Sequence, residues 1–265
     1  MPNDDLHDFE RTSFTSGGKT RAVYRRGSGP AVIVIAEMPG ISPHVADFAR
    51  RLPEIGCTAV MPHLFGDPGK DTGKGLSGIG TIAWGCVSRE FATFVTGRTS
   101  PVVAWLRALA ADEHERCGGP GVGAVGMCFT GGFALAMAVD DRLLAPVLSQ
   151  PSLPFALSAG HKHSIDISPD DLAVVKHRCA AEGLQVLGLR FKGDKLSPGE
   201  RFDFLREELG DAFLAVELDD DDANPDGGMS PHSVLTRHLI DEPGQPTRAA
   251  LDQVLDLFRS KLVSP

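Results

Sequence analysis

The chain has 265 residues, 42% of them apolar, and a net charge of −9. That length suits one sizeable α/β core better than two small ones, and the negative balance argues against nucleic acid or an anionic membrane as partner, because both demand a basic patch. The first residues lack the basic start and apolar run of an export signal, and no stretch reaches the ~18–20 apolar residues that cross a bilayer, so a soluble cytoplasmic protein is expected.

In chain order, residues 8–16 and 20–26 are strand-like and flank Gly17-Gly18, a hairpin signal, so residues 1–29 read as antiparallel edge strands on a core formed by 30–265. Ala31-Val-Ile-Val-Ile-Ala36 is the continuous β-branched run of a strand buried on both faces. Ser42-Pro43 is an N-cap with proline at the first helical position, opening a helix to about Glu54, and residues 57–61 form the next strand. Residues 66–81, rich in glycine, form a long loop of the kind that covers a site, followed by helical patterns at about 84–95 and 102–115. Val122 to Val125 is a small apolar strand that runs through Gly126-Met-Cys128-Phe-Thr-Gly131-Gly132 into the helix-forming run from Phe133. Residues 144–149 form another strand, in which Pro146 suggests an edge or a bulge. Ser168-Pro169 caps a helix to about Glu182, 184–191 is a strand, 201–209 a helix, 212–218 a strand and 247–262 a closing amphipathic helix. Strands alternating with helices imply a doubly wound, mostly parallel sheet of about eight strands flanked by helices, in a single domain over 1–265.

In such sheets sites form at the carboxyl ends of strands. Four reactive side chains fall there: Glu37, Cys128, Asp194 and His232. Cys128 follows a strand, lies between glycines and precedes a helix, the arrangement of a nucleophile elbow with sulfur in place of oxygen; Thr130 occupies the place where the usual spacing has glycine. A free thiol is only a few per cent ionised at neutral pH, so it needs a base; His232 can supply one, with Asp194 orienting the ring. A carboxylate placed as Glu37 is would be largely desolvated and must be paired or protonated. The five cysteines, Cys57, Cys86, Cys117, Cys128 and Cys179, are odd in number and show no Cys-x-x-Cys spacing, which indicates neither a disulfide framework nor a zinc site. The run Asp219 to Asp222 lacks the alternation of a calcium loop and reads as a solvated turn, and His161-Lys-His163 as a surface loop.

Together, Ala36-Glu37-Met38-Pro39-Gly40, the Cys128 elbow, Gly193-Asp194 followed by Pro198, and His232-Ser233 resemble the dienelactone hydrolase (carboxymethylenebutenolidase) family over about residues 30–240. The resemblance implies an α/β-hydrolase fold and a hydrolase that cleaves a small-molecule lactone or ester through an acyl-cysteine. It implies Cys128 as nucleophile, His232 as base, Asp194 as its orienter and Glu37 as the buried acid that engages the resting thiol. It also implies an oxyanion hole from the backbone N–H groups of Met38 and Phe129, and no metal or organic cofactor. The family's carboxylate-binding arginine four residues after the histidine is replaced by Thr236, with Arg237 one step on, and Arg89 and Arg98 are candidates for a second such arginine. Alternatives are a thioesterase with another acyl substrate or a binding or regulatory protein that kept the fold without catalysis. The chain is expected to work as a monomer or small homo-oligomer.

Overall fold

The computed structural model of the chain describes residues 2–71, 99–228 and 230–263. Eight strands lie in one sheet: β1 (Glu10–Ser16), β2 (Lys19–Arg26), β3 (Ala31–Ile35), β4 (Thr58–Pro62), β5 (Val122–Met127), β6 (Leu143–Ser149), β7 (Val186–Phe191) and β8 (Phe213–Leu218). Their spatial order is β1-β2-β4-β3-β5-β6-β7-β8. The β1–β2 hairpin turns on Gly17 and Gly18, both at positive φ, and pairs antiparallel with β4; from β4 to β8 all neighbours are parallel. Positive φ at both turn residues matches the twist of a two-residue hairpin, which is why two glycines occur there. This is the doubly wound sheet expected from the alternating pattern.

The helices are α1 (Pro43–Arg50), α2 (Pro101–Cys117), α3 (Phe133–Met137), α4 (Ala159–Lys162), α5 (Pro169–Glu182), α6 (Gly199–Leu209) and α7 (Pro246–Phe258). Alternation along β3 divides the core in two. Ile33 and Ile35 pack on one face with Val103, Leu106, Phe133, Val175 and Phe202, from α2, α3, α5 and α6. Val32 and Val34 pack on the other with Val45, Phe48, Leu251 and Val254, from α1 and α7. All five residues of β3 are fully buried, as a strand covered on both faces requires. None of the helices among the described residues is long and apolar enough to cross a membrane.

One expectation needs correction. The helix capped by Ser42 ends at Arg50, because Pro53 stops it and starts a short 3-10 turn, Pro53–Ile55. The run after Gly132 forms a helix of five residues. Of the edge or bulge that Pro146 suggests, β6 has the bulge, since it lies between β5 and β7 and its register against β5 shifts at Leu143 to Ala145. Pro146 is tolerated because β7 pairs only with Val147 to Ser149, beyond the proline that lacks an N–H to donate, while toward β5 the register shifts one step earlier, where Leu143 and Ala145 face successive residues. The expected helix at about 84–95 and most of the glycine-rich loop lie outside the described residues.

Helix α5 begins as its sequence requires, with the hydroxyl of Ser168 accepting from the N–H of Asp171 at 3.2 Å. Ser168→Ala is expected to lower global stability by about 1 kcal/mol, measured by urea unfolding, because one N–H of the first turn loses its partner.

Candidate active site

Strand β5 lies between β3 and β6, so the three chain segments leaving those strands converge at one end of the sheet. Cys128 leaves β5 with φ 54, a value that a non-glycine residue adopts rarely, and opens a 3-10 turn, Cys128–Thr130. The turn closes only because its neighbours lack side chains. A Cβ on Gly126 would stand 2.1 Å from the carbonyl oxygen of Thr130, and one on Gly132 would stand 1.8 Å from Oδ1 of Asp166. Thr130, where the usual elbow has glycine, has a structural use. Its Oγ1 accepts from the N–H of Met127 at 3.0 Å and lies 2.8 Å from the carbonyl of Ile35, to which it can donate, so it ties the elbow to the end of β3. The thiol of Cys128 itself is half-buried.

His232 lies beyond β8 on a turn that folds back over the sheet end. Its Nδ1 is 2.6 Å from Oδ2 of Asp194, on the loop after β7, and Oδ1 of Asp194 accepts from the N–H of Leu196 at 2.9 Å. The carboxylate therefore has one oxygen for the ring and one for its own loop. The ring's other nitrogen, Nε2, is buried with no hydrogen-bond partner in good geometry, yet it is close enough to Cys128 for the sulfur to act on its charge. Burial pulls the imidazole pKa down, but Cys128 and Asp194 together outweigh it and hold the pKa well above the ordinary histidine value. The structure thus puts Asp194 in contact with His232, with Cys128 near enough to the same ring to raise its pKa.

Glu37 leaves β3 beside this group and is buried. Its Oε2 accepts from Ser233 Oγ at 2.8 Å and Gln150 Nε2 at 3.1 Å, and its Oε1 from Thr236 Oγ1. Among the described residues Cys128 is not a partner of that carboxylate. Met38 follows Glu37, and Phe129 follows Cys128 in the elbow turn, its ring edge-on to Phe65 and Phe155. Thr236 is occupied by Glu37, and Arg237 forms an ion pair with Asp71 at 3.1 Å. Near that pair sits His44, whose pKa is lowered by burial and by Arg237. Arg89 and Arg98 lie outside the described residues.

Two supporting residues carried no signal that sequence reasoning could have used. Gln150 and His238 are ordinary buried polar residues until the fold is known, and Ser233 stands out only as the neighbour of His232. His238 Nδ1 accepts from the N–H of Ser233 at 3.1 Å and faces that of His232 at 3.4 Å, so that nitrogen carries no proton. Asp219 to Asp222 form an exposed turn in which Asp220 accepts from the N–H of Gly193, and among the described residues no cluster of side chains is arranged to hold a metal ion. His163 lies on the surface, bonded to Glu207 and the carbonyl of Glu200. Cys57, Cys117 and Cys179 are free thiols, as is Cys128.

Behind the elbow, Arg201 on α6 is buried and donates to the carbonyls of Pro151, Pro154, His161 and Ser164, fastening the loop after β6. Burial pulls its pKa down to about 10 against the opposing charges of Asp166 and Asp194. Asp166 is fully buried, with no hydrogen-bond partner in good geometry on either oxygen among the described residues, and burial pushes its carboxyl up to about 8.

The family model described as "Dienelactone hydrolase family" matches residues 19–163. A Salmonella typhi protein provisionally named a carboxymethylenebutenolidase is 28% identical over 197 residues, which cover 72% of this chain and 65% of that protein. The match therefore spans less than two thirds of that relative's length. Among solved structures, a provisionally assigned dienelactone hydrolase from Klebsiella pneumoniae superposes with a TM-score of 0.63 at 19% identity, covering 94% of this chain and 97% of that one. A dienelactone hydrolase from Anabaena variabilis superposes with a TM-score of 0.58 at 15% identity, over 97% and 100% of the two chains. At those identities the likeness concerns the fold, which is that of the α/β-hydrolases.

The buried Asp166 makes stability depend on pH in a definite direction. A carboxyl whose folded pKa is raised stabilises fully below its unfolded value of about 3.9, and that contribution is lost as pH rises through the folded value of about 8. Asp166→Asn removes the group, so the stability of the variant relative to the parent is expected to grow steadily between pH 4 and pH 8, in denaturant titrations at stepped pH.

Proposed function

The chain belongs to the dienelactone hydrolase family, and on that premise we propose that it is a carboxylic ester hydrolase that opens a lactone or ester through an acyl-cysteine, with Cys128 as nucleophile, His232 as base and Asp194 as the residue that orients His232. The observation that carries this reading is the 2.6 Å contact between His232 Nδ1 and Asp194 Oδ2 with Cys128 acting on the same ring. A carboxylate on Nδ1 fixes the tautomer that leaves Nε2 to exchange a proton with sulfur.

The proposed course begins with the pair as thiolate and imidazolium. The thiolate attacks the carbonyl carbon, a carbon–sulfur bond forms, and the carbonyl electrons move to oxygen, where the N–H groups of Met38 and Phe129 receive the charge. Collapse breaks the carbon–oxygen ester bond as Nε2 of His232 protonates the departing alkoxide. In a lactone that alkoxide remains tethered to the acyl group. Water, deprotonated by the now neutral His232, then attacks the thioester; the carboxylic acid leaves and the thiolate and imidazolium are restored. The protein works in this reading without metal or organic cofactor, in the cytoplasm, on a small molecule. Arg89 and Arg98 are the residues proposed to receive a substrate carboxylate, since Thr236 and Arg237 are engaged with Glu37 and Asp71.

With p-nitrophenyl acetate as probe, Cys128→Ala is expected to abolish turnover above the uncatalysed rate, and intact-mass analysis of a rapid quench should find acetate on Cys128 of the parent. Asp194→Asn should fold normally and lose roughly 10³- to 10⁴-fold in kcat, as expected when the ring settles in the wrong tautomer. Undiminished turnover by Cys128→Ala would refute the reading.

A further inference from the structure

Gln150, the first residue beyond β6, stands at φ 35, is fully buried and uses both polar atoms of its side chain. Its Nε2 donates to Oε2 of Glu37 at 3.1 Å, and its Oε1 accepts from the N–H of Val234 at 3.3 Å and from the hydroxyl of Ser149. Its own N–H donates to the carbonyl of Leu189 on β7 at 2.7 Å. A non-glycine residue with positive φ costs on the order of 1–3 kcal/mol and persists only where its surroundings over-determine it. Here those surroundings are the ends of β3, β6 and β7.

The same two side chains grip the turn that carries His232. Glu37 accepts from Ser233 and Thr236, and Gln150 from Val234, so three of the four residues after the histidine are held by this pair. Among the described residues, the donors to Glu37 are two hydroxyls and an amide, without a cation among them. The carboxylate works as a hydrogen-bond acceptor for a turn, and both its oxygens are taken. Other groups that face the histidine are Asp194 from the loop after β7, Cys128 from the elbow and the neutral nitrogen of His238 from within the turn; Arg237 is turned to Asp71.

We propose that Glu37 and Gln150 form one positioning pair that holds the His232 turn in place, so that Cys128 rests against His232 while Glu37 secures the histidine's support instead of engaging the thiol. The proposal rests on the reading of Cys128 and His232 as nucleophile and base. It assigns Gln150 a place in that machinery and gives Glu37 a different one from the acid beside the resting thiol.

The test uses the full chain and two readouts: steady-state hydrolysis of p-nitrophenyl acetate, and the rate of alkylation of Cys128 by iodoacetamide against pH, followed on the Cys128 peptide by mass spectrometry. Gln150→Leu keeps the charge of Glu37 but removes its tie to Gln150. Its kcat should fall about ten- to hundredfold with KM within about twofold, the signature of misplaced catalytic groups. The alkylation midpoint should move up, because a histidine no longer held beside the sulfur stabilises the thiolate less. Gln150→Glu sets two carboxylates together and should be the most impaired. The exchange Glu37→Gln with Gln150→Glu restores one amide and one carboxylate, and should recover at least about tenfold over Gln150→Glu alone.

A parental kcat and alkylation midpoint in Gln150→Leu would overturn the proposal, as would an exchange variant no better than Gln150→Glu. Should Gln150→Leu fail to fold by circular dichroism, the comparison of the exchange variant with Gln150→Glu decides alone. Failure of the triad reading has a different signature, namely turnover surviving in Cys128→Ala.

Discussion

The backbone at Cys128 is the constraint on which the rest depends. A side chain at φ 54 between a strand and a turn is unfavourable by itself, and it stands because both neighbouring segments are shaped for it. Gly126 admits the carbonyl of Thr130, Gly132 admits Asp166, and Thr130 reaches across to the last carbonyl of β3. In return the sulfur stands clear of the sheet at the point where β3, β5 and β6 end side by side. The parallel order of those strands then decides which loops can reach it: Glu37 from β3, Gln150 from β6, Asp194 from β7 and His232 from beyond β8.

Electrostatics at that end of the sheet follow one rule, that a buried charge must be met by donors or by an opposite charge or else be neutralised. Asp194 meets the ring of His232, and Glu37 meets three neutral donors. Asp166 meets none in good geometry among the described residues, and burial raises its carboxyl pKa to about 8 instead. Arg201, with no carboxylate in contact among the described residues, spends its donors on backbone carbonyls of the loop behind the elbow. The two groups whose pKa values burial displaces most clearly, Asp166 and Arg201, therefore support the elbow, while His232 is raised against burial by Cys128 and Asp194, its partners in the candidate site.

Much of this architecture is legible in the chain before any coordinates. The run at 31–36 reads as a strand buried on both faces because it lacks polar alternation, those at 122–125 and 184–191 read as strands, and the reactive residues that follow them are where a parallel sheet places a site. Local chemistry misleads where tertiary context overrides it. Pro146 leaves edge and bulge open, and only the fold shows the bulge, in an interior strand where pairing with β7 has not begun. Pro53 ends a helix whose apolar face continues past it. The partners of Glu37 are not legible at all, because hydrogen bonds from Gln150, Ser233 and Thr236 join residues more than a hundred positions apart and leave no periodic trace. Burial of Glu37 could be inferred from its place after an apolar strand, whereas the direction its carboxylate points could not.

The proposed chemistry needs His232, held by Asp194 and the turn it sits on, to carry a positive charge against the sulfur of Cys128. Nitrogen-15 NMR of the His232 ring, titrated through neutral pH in the parent and in Cys128→Ala, measures that charge directly. The predicted result is a ring with both nitrogens protonated at pH 7 in the parent, titrating well above the ordinary value of about 6.5 and falling when the sulfur is removed. A ring already neutral at pH 7 in the parent, unchanged by loss of Cys128, would contradict it.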